Sequence, residues 1–187
     1  MNACYGSLNL AMEGTPEQKQ RFLPGLAAGE ILFAYGLSEP DVGADLASVK
    51  TRAERRGDSV VISGQKRWCS GANFADHILM LVRSGEAEAR YKNLSLVLVP
   101  TDVPGLTLEQ GGTMGVRGIP VNDVILDNVE VPFAMVLGGE AKWNEGWSLL
   151  AGPALEIEKL ETPALALGVA EAAVAEAWDY SQQRKQF

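Results

Sequence analysis

The chain is predicted to be an α+β protein, with a β-barrel-like middle region set between helical segments. Two observations lead there. About seven short strand-like runs follow one another with Gly, Pro, Asn and Asp between them and no long helix intervening, which argues for an antiparallel barrel or sandwich and against a doubly wound sheet. The two ends read differently, as a capped helix at the start and an alanine- and leucine-rich helical tail.

Thr15-Pro16-Glu17-Gln18 is a helix start. Thr15 caps an open amide, Pro16 sits where no amide partner is needed, and Gln18 completes a capping box. Phe22, Leu23 and Leu26 supply the apolar side, Pro24 and Gly25 are expected to interrupt the helix, and Gly29 ends it. The apolar run 31–35 opens the strand region. Val49, Thr51 and Ala53 alternate with Lys50, Arg52 and Glu54, Gly57-Asp58 turns, and 60–62 returns. Runs 77–82, 94–99, 106–109 and 124–131 read as further strands. After Pro132 the pattern changes again, and Leu160, Ala164, Leu167, Ala170, Val174, Ala177 and Trp178 recur at helical spacing. This stripe needs a partner. Pro153 and Pro163 lie inside the pattern, so a kink or separate helices are expected.

Composition narrows the function. A chain of 187 residues that is 47% hydrophobic has material for a core, so disorder is not expected. With 24 acidic against 16 basic residues the net charge is −8, which opposes binding to phosphate backbones or anionic lipid. Cys4 and Cys69 have neither metal-ligand spacing nor a disulfide framework, and His77 has no second histidine to work with, so it reads as a polar strand end. No apolar run reaches the roughly 20 residues of a membrane span, and the start lacks a signal-like pattern. A cytoplasmic protein is expected.

The most informative stretch runs from Phe33 to Ser70. It places a polar, glycine-containing loop (Leu37-Ser38-Glu39-Pro40, then Gly43-Ala44-Asp45) together with Gly64-Gln65-Lys66-Arg67-Trp68-Cys69-Ser70, a surface suited to a flat ligand. The spacing alone does not name that ligand. Together with Phe22-Leu23-Pro24, 114–118 and 129–132, these motifs closely resemble, in order, the central part of acyl-CoA dehydrogenases. The resemblance covers nearly the whole chain. It divides the chain into the end of an amino-terminal helical domain (1–29), a middle β-barrel domain (30–135) and the start of a carboxy-terminal helical domain (136–187), with both helical domains incomplete.

The resemblance implies FAD as cofactor. Tyr35, Leu37, Ser38, Trp68 and Ser70 correspond to flavin-contacting positions, with Trp68 packed on the flavin and the Ser70 hydroxyl near its N5 and O4 edge. Taken alone, Ser38 is part of a Ser-Glu-Pro turn and Trp68 a core tryptophan. Gly43 and Ala44 correspond to the acyl-thioester side of the loop. Gly43 tolerates a positive φ and close ligand approach, whereas Ala44 stands where relatives often have serine, which loosens the polar pocket. Arg184 corresponds to an arginine that reaches the FAD pyrophosphate of a neighbouring subunit, a role suited to a guanidinium and one that implies a homo-oligomer. No Gly-x-Gly-x-x-Gly dinucleotide motif is present.

The implied reaction is α,β-dehydrogenation of an acyl-CoA thioester to the trans-2-enoyl-CoA, with electron-transferring flavoprotein as electron acceptor. It needs a carboxylate base. In relatives that resemble isovaleryl-CoA dehydrogenase this base lies on the first carboxy-terminal helix just before a basic residue, and Glu158-Lys159 corresponds to it; Glu156 and Glu161 are alternatives. Two other readings stand beside this one: an oxidase using dioxygen, and a truncated, non-catalytic subunit or interaction module.

Overall fold

The computed structural model describes residues 6–86, 89–115 and 118–187, and within the last helix the side chains of 153–155 and 158 fall outside that description. Cys4, Val116 and Arg117 therefore lie outside the described residues. The chain divides into two units, Met1–Ala151 and Gly152–Phe187.

The first unit opens with helices α1 (Ser7–Glu13) and α2 (Pro16–Ala28). The capping box is present, with the Gln18 amide donating to Thr15 Oγ1 at 3.2 Å and the Thr15 amide to Gln18 Oε1 at 3.0 Å. The same Gln18 side chain donates to the carbonyls of Ala134 and Val136 and accepts from the Gly138 amide, so the cap also ties α2 to the far end of the sheet. The expected interruption at Pro24 and Gly25 does not occur. The helix runs through both to Gly29, which ends it at φ 73°, because a proline inside a helix forfeits one hydrogen bond while the rest remain. Gly25 instead makes room for Ile31, whose Cδ1 would lie 2.6 Å from a Cβ there.

Seven strands follow: β1 (Phe33–Gly36), β2 (Arg52–Arg56), β3 (Ser59–Ser70), β4 (His77–Arg83), β5 (Leu94–Pro100), β6 (Leu106–Gly111) and β7 (Val121–Pro132). They form one sheet in the order β1-β4-β2-β3-β7-β6 with β5 on β4, curled as a half-barrel. Antiparallel pairing dominates, but β1 runs parallel to β4, and β2 meets β4 in parallel at Arg52 and Arg83. The purely antiparallel reading is corrected accordingly. Hairpin signals identify neighbours along the chain, whereas β1 pairs with a strand some forty residues away, and a crossover of that length permits parallel pairing.

The core lies along β4 and β5, where Ile78 through Val82 and Leu96 through Val99 are fully buried. Burial on both faces explains why these strands read as continuous apolar runs rather than alternating ones. β6, at the sheet edge, is largely exposed and carries Glu109 and Gln110. A short helix α3 (Gly146–Leu150) closes this unit and buries Leu149 and Leu150.

The second unit is one helix, α4 (Pro153–Gln183), of 31 residues. Pro153 stands in its first turn, where a missing amide costs nothing, and Pro163 is carried within it. The expectation of separate helices is thus overturned, since a helix this long retains nearly all its hydrogen bonds after losing one. Leu160, Leu167, Val174 and Trp178 of its apolar stripe are exposed. No helix among the described residues is long and apolar enough to cross a membrane.

Candidate functional site

Two segments of the first unit come together around residues 37–39 and 65–70. The first is the loop leaving β1. Glu39 and Val42 exchange backbone hydrogen bonds at 2.8 and 3.1 Å, closing a tight turn around Pro40 and Asp41. The second is the end of β3, where the pairing with β7 slips. Lys66 faces Val124 and Cys69 faces Asn122, so Arg67 and Trp68 together oppose the single residue Asp123. This is a β-bulge.

The bulge decides where the tryptophan goes. Trp68 has φ 63°, a left-handed conformation that a bulky side chain adopts only when its surroundings impose it, and the residue is 61% exposed. Reading Trp68 as a core residue therefore fails. Asp123 stabilises the bulge from the opposite strand, its two carboxylate oxygens lying 3.2 Å from Arg67 Nε and 3.2 Å from Gln65 Nε2. The Arg67 guanidinium carbon lies 5.1 Å from the centroid of the Trp68 ring.

The loop is bound to this strand at three consecutive residues. Lys66 Nζ donates to the Leu37 carbonyl at 3.1 Å, the Arg67 amide donates to the Ser38 carbonyl at 2.8 Å, and Lys66 Nζ meets Glu39 Oε1 at 2.9 Å. Glu39 also accepts from the amides of Lys50 at 2.6 Å and Thr51 at 2.9 Å. The Lys66 side chain is fully buried and that of Glu39 is 5% exposed. Burial pushes the Glu39 carboxyl up, but Lys66, Thr51 and the two amides outweigh it and hold the group below the ordinary carboxylate range. Burial likewise draws the Lys66 ammonium below its usual value against the pull of Glu39. Sequence reasoning missed this pair. Its only signal was a lone lysine and a lone glutamate inside two otherwise polar or aromatic motifs, 27 residues apart.

The other expected site residues are placed as follows. Leu37 and Ser38 are half-buried on the loop and Ser70 is half-buried at the end of β3; among the described residues neither serine hydroxyl has a hydrogen-bond partner. The Tyr35 hydroxyl donates to Asn9 Oδ1, and Asn9 Nδ2 donates to the Leu149 carbonyl at 3.0 Å, so this phenol braces α1. Gly43 does not use its freedom to take a positive φ, since the turn closes between Glu39 and Val42. A Cβ at Gly43 would meet nothing within 4 Å, and Ala44 beside it is exposed. Cys69 is buried and its thiol is pushed up to about 12 by that burial, which makes it unreactive. Glu158 belongs to α4, with its side chain outside the described residues, and the Arg184 amide caps α4 by donating to the Tyr180 carbonyl at 2.9 Å.

Residues 34–129, which include this loop, the bulge and the strands between them, match the family model for the middle domain of acyl-CoA dehydrogenases. The chain belongs to the acyl-CoA dehydrogenase family. A probable acyl-CoA dehydrogenase of Bacillus subtilis, YngJ, is 36% identical over 183 residues, which is 97% of this chain and 47% of the relative. Among solved structures, a glutaryl-coenzyme A dehydrogenase in complex with glutaryl-CoA is 28% identical with a TM-score of 0.92, covering 100% of this chain and 46% of that one. A glutaryl-CoA dehydrogenase from Mycobacterium smegmatis in complex with FADH2 is 30% identical with a TM-score of 0.86, covering 98% of this chain and 45% of that one. The chain thus spans about half the length of the acyl-CoA dehydrogenases it matches.

Proposed function

We propose that this chain supplies the flavin-facing wall of an FAD-dependent acyl-CoA dehydrogenase that acts in the cytoplasm. The observation that carries the reading is Trp68. A flat aromatic ring is turned out to solvent from a strained bulge, next to a loop held in place by buried bonds and close in sequence to the Ser70 hydroxyl, which has no hydrogen-bond partner among the described residues. These features fit a flat, partly apolar ring system with polar edges.

In this reading Trp68 packs on the isoalloxazine, Leu37 and Ser38 present backbone groups and a hydroxyl to its pyrimidine side, and Tyr35, on the strand that carries them, is a further flavin-contacting residue. The Ser70 hydroxyl faces the reactive edge. Gly43 and Ala44 border the thioester, and the open space beside Gly43 leaves room for it. Arg184 reaches the pyrophosphate of FAD on a second copy, which makes cofactor binding depend on a homo-oligomer. FAD, when bound, supplies the acceptor for the hydride that leaves the substrate β carbon. Glu158 takes the proton from the α carbon, leaving the trans-2-enoyl-CoA. Electron-transferring flavoprotein is the proposed onward acceptor, and the proposed domains are 1–29, 30–135 and 136–187.

Reconstitution of the purified chain with FAD, followed by anaerobic addition of an acyl-CoA, tests this reading. Flavin absorbance that survives desalting and bleaches on addition of the thioester is the expected result. Failure to retain FAD would instead favour the non-catalytic subunit or interaction module, and reoxidation by dioxygen at the rate of turnover would favour the oxidase.

A further inference from the structure

We propose that Lys66 and Glu39 form a positioning clamp, which fixes the Leu37–Ser38 backbone at a set distance from the Trp68 bulge so that the two flavin-facing segments are preorganised. The assignment of what is positioned rests on the flavin reading above.

The connectivity carries the proposal. Three consecutive loop residues are each bonded to Lys66 or Arg67, immediately before Trp68, and Glu39 extends the attachment to the amides of Lys50 and Thr51, where the loop rejoins the sheet. One buried ammonium and one buried carboxylate thus hold both ends of the segment 37–51. The Lys66 stem has a prepared path: a Cβ on Gly36 would lie 3.5 Å from Lys66 Cγ and 3.1 Å from both Ile78 and Met80. A buried ion pair is a poor source of net stability, because desolvation cancels most of the attraction, and an apolar pair of similar volume often serves the fold as well. A geometric role accounts for such a pair here. The ammonium directs hydrogen bonds to two points at once, which a hydrophobic contact cannot do, and ordering the loop in advance lowers the entropy lost when a ligand binds.

The test uses the full chain with and without FAD. The double variant Glu39→Gln/Lys66→Met keeps an acceptor for the loop amides and the volume of the stem while removing both charges. Hydrogen exchange at the Arg67 amide reports the bond to Ser38 without involving any flavin. The expected result is exchange faster by about 10-fold or more at Arg67 with Leu81 and Val97 unchanged, together with FAD affinity weakened by about 10-fold and an altered visible circular dichroism of the bound flavin. Val129→Ala, which loosens the core away from the loop, should leave both flavin readouts as they were. If the double variant does not fold, Glu39→Asp gives the same comparison with the charge retained and the reach shortened. Unchanged exchange at Arg67 overturns the clamp. Faster exchange with wild-type flavin affinity and dichroism overturns its role toward the flavin. A wild-type chain that takes up no FAD overturns the flavin reading itself, a separate outcome because the exchange measurement needs no cofactor.

Discussion

Gly64 lies so close to Thr51 that a Cβ there would stand 2.7 Å from both Thr51 Cα and Oγ1, and its φ of 148° is one that other residues rarely adopt. The crowding occurs where β3 and β7 first slip, between the pairs Ile62–Val129 and Gly64–Leu126, and where Asn128 takes φ 51° with its amide bonded to Ser63 Oγ. Gly64→Ala should therefore destabilise the chain by roughly 3 kcal/mol, since it adds both strain and overlap. Urea unfolding followed by tryptophan fluorescence measures this. A variant within about 0.5 kcal/mol of wild type would show that the two strands separate more easily than this contact implies.

Trp68 should show the opposite balance. Its ring buries little and its backbone is strained, so Trp68→Asn, which tolerates the left-handed region, is expected to leave stability within about 0.5 kcal/mol or raise it. Flavin retention after reconstitution should fall sharply in the same variant. A large drop in melting temperature would mean that the ring is a structural element after all.

How far the sequence disclosed these features depended on their range. The Thr15–Gln18 box and the Gly29 cap are local, and both are formed as the residues suggest. The prolines were read too strictly, because Pro24 and Pro163 each remove one bond from helices that have others to hold them. The bulge at Trp68 had no local signature: it arises from a register slip between β3 and β7, whose pairing residues lie more than fifty positions apart. The Lys66–Glu39 pair was hidden for the same reason, since polarity in the sequence does not distinguish a solvated charge from one buried against a partner far along the chain. Locating the two site segments required only motifs, whereas joining them required the fold.

His77 offers a pH prediction that can be read without any cofactor. It is the one histidine of the chain, its ring packs edge-on against Phe22 at 5.1 Å, and its buried Nδ1 has no hydrogen-bond partner among the described residues. Burial, assisted by the nearby Arg21, holds its pKa below the ordinary 6.5. The folded chain therefore binds fewer protons than the unfolded chain just below that value. The contribution of His77 to stability is complete above the unfolded pKa and is lost as pH falls toward the folded one. Comparing urea unfolding at about pH 7.5 and about pH 5.5, wild type should lose more stability than His77→Phe. Equal losses would show that the imidazole accommodates its proton where it stands.

Glu158 is the residue on which the proposed chemistry is most exposed to test. Of the three glutamates near the start of α4, Glu156 already lies 2.6 Å from Lys159 in an i,i+3 ion pair, which competes with use of its carboxylate as a base. That leaves Glu158 and Glu161, three residues apart and so on one face of the helix, and the family resemblance selects Glu158. Glu158→Gln keeps the size of the side chain and removes the proton acceptor. FAD and acyl-CoA should still bind, while anaerobic bleaching of the flavin slows by roughly 100-fold or more, within the range general bases contribute. A KM-like concentration dependence that stays constant while the limiting rate falls would mark the loss as one of proton transfer rather than binding. A reductive half-reaction near wild type in the Gln variant would remove Glu158 from the mechanism, and the same measurement on Glu161→Gln would then decide whether this helix supplies the base or a second chain does.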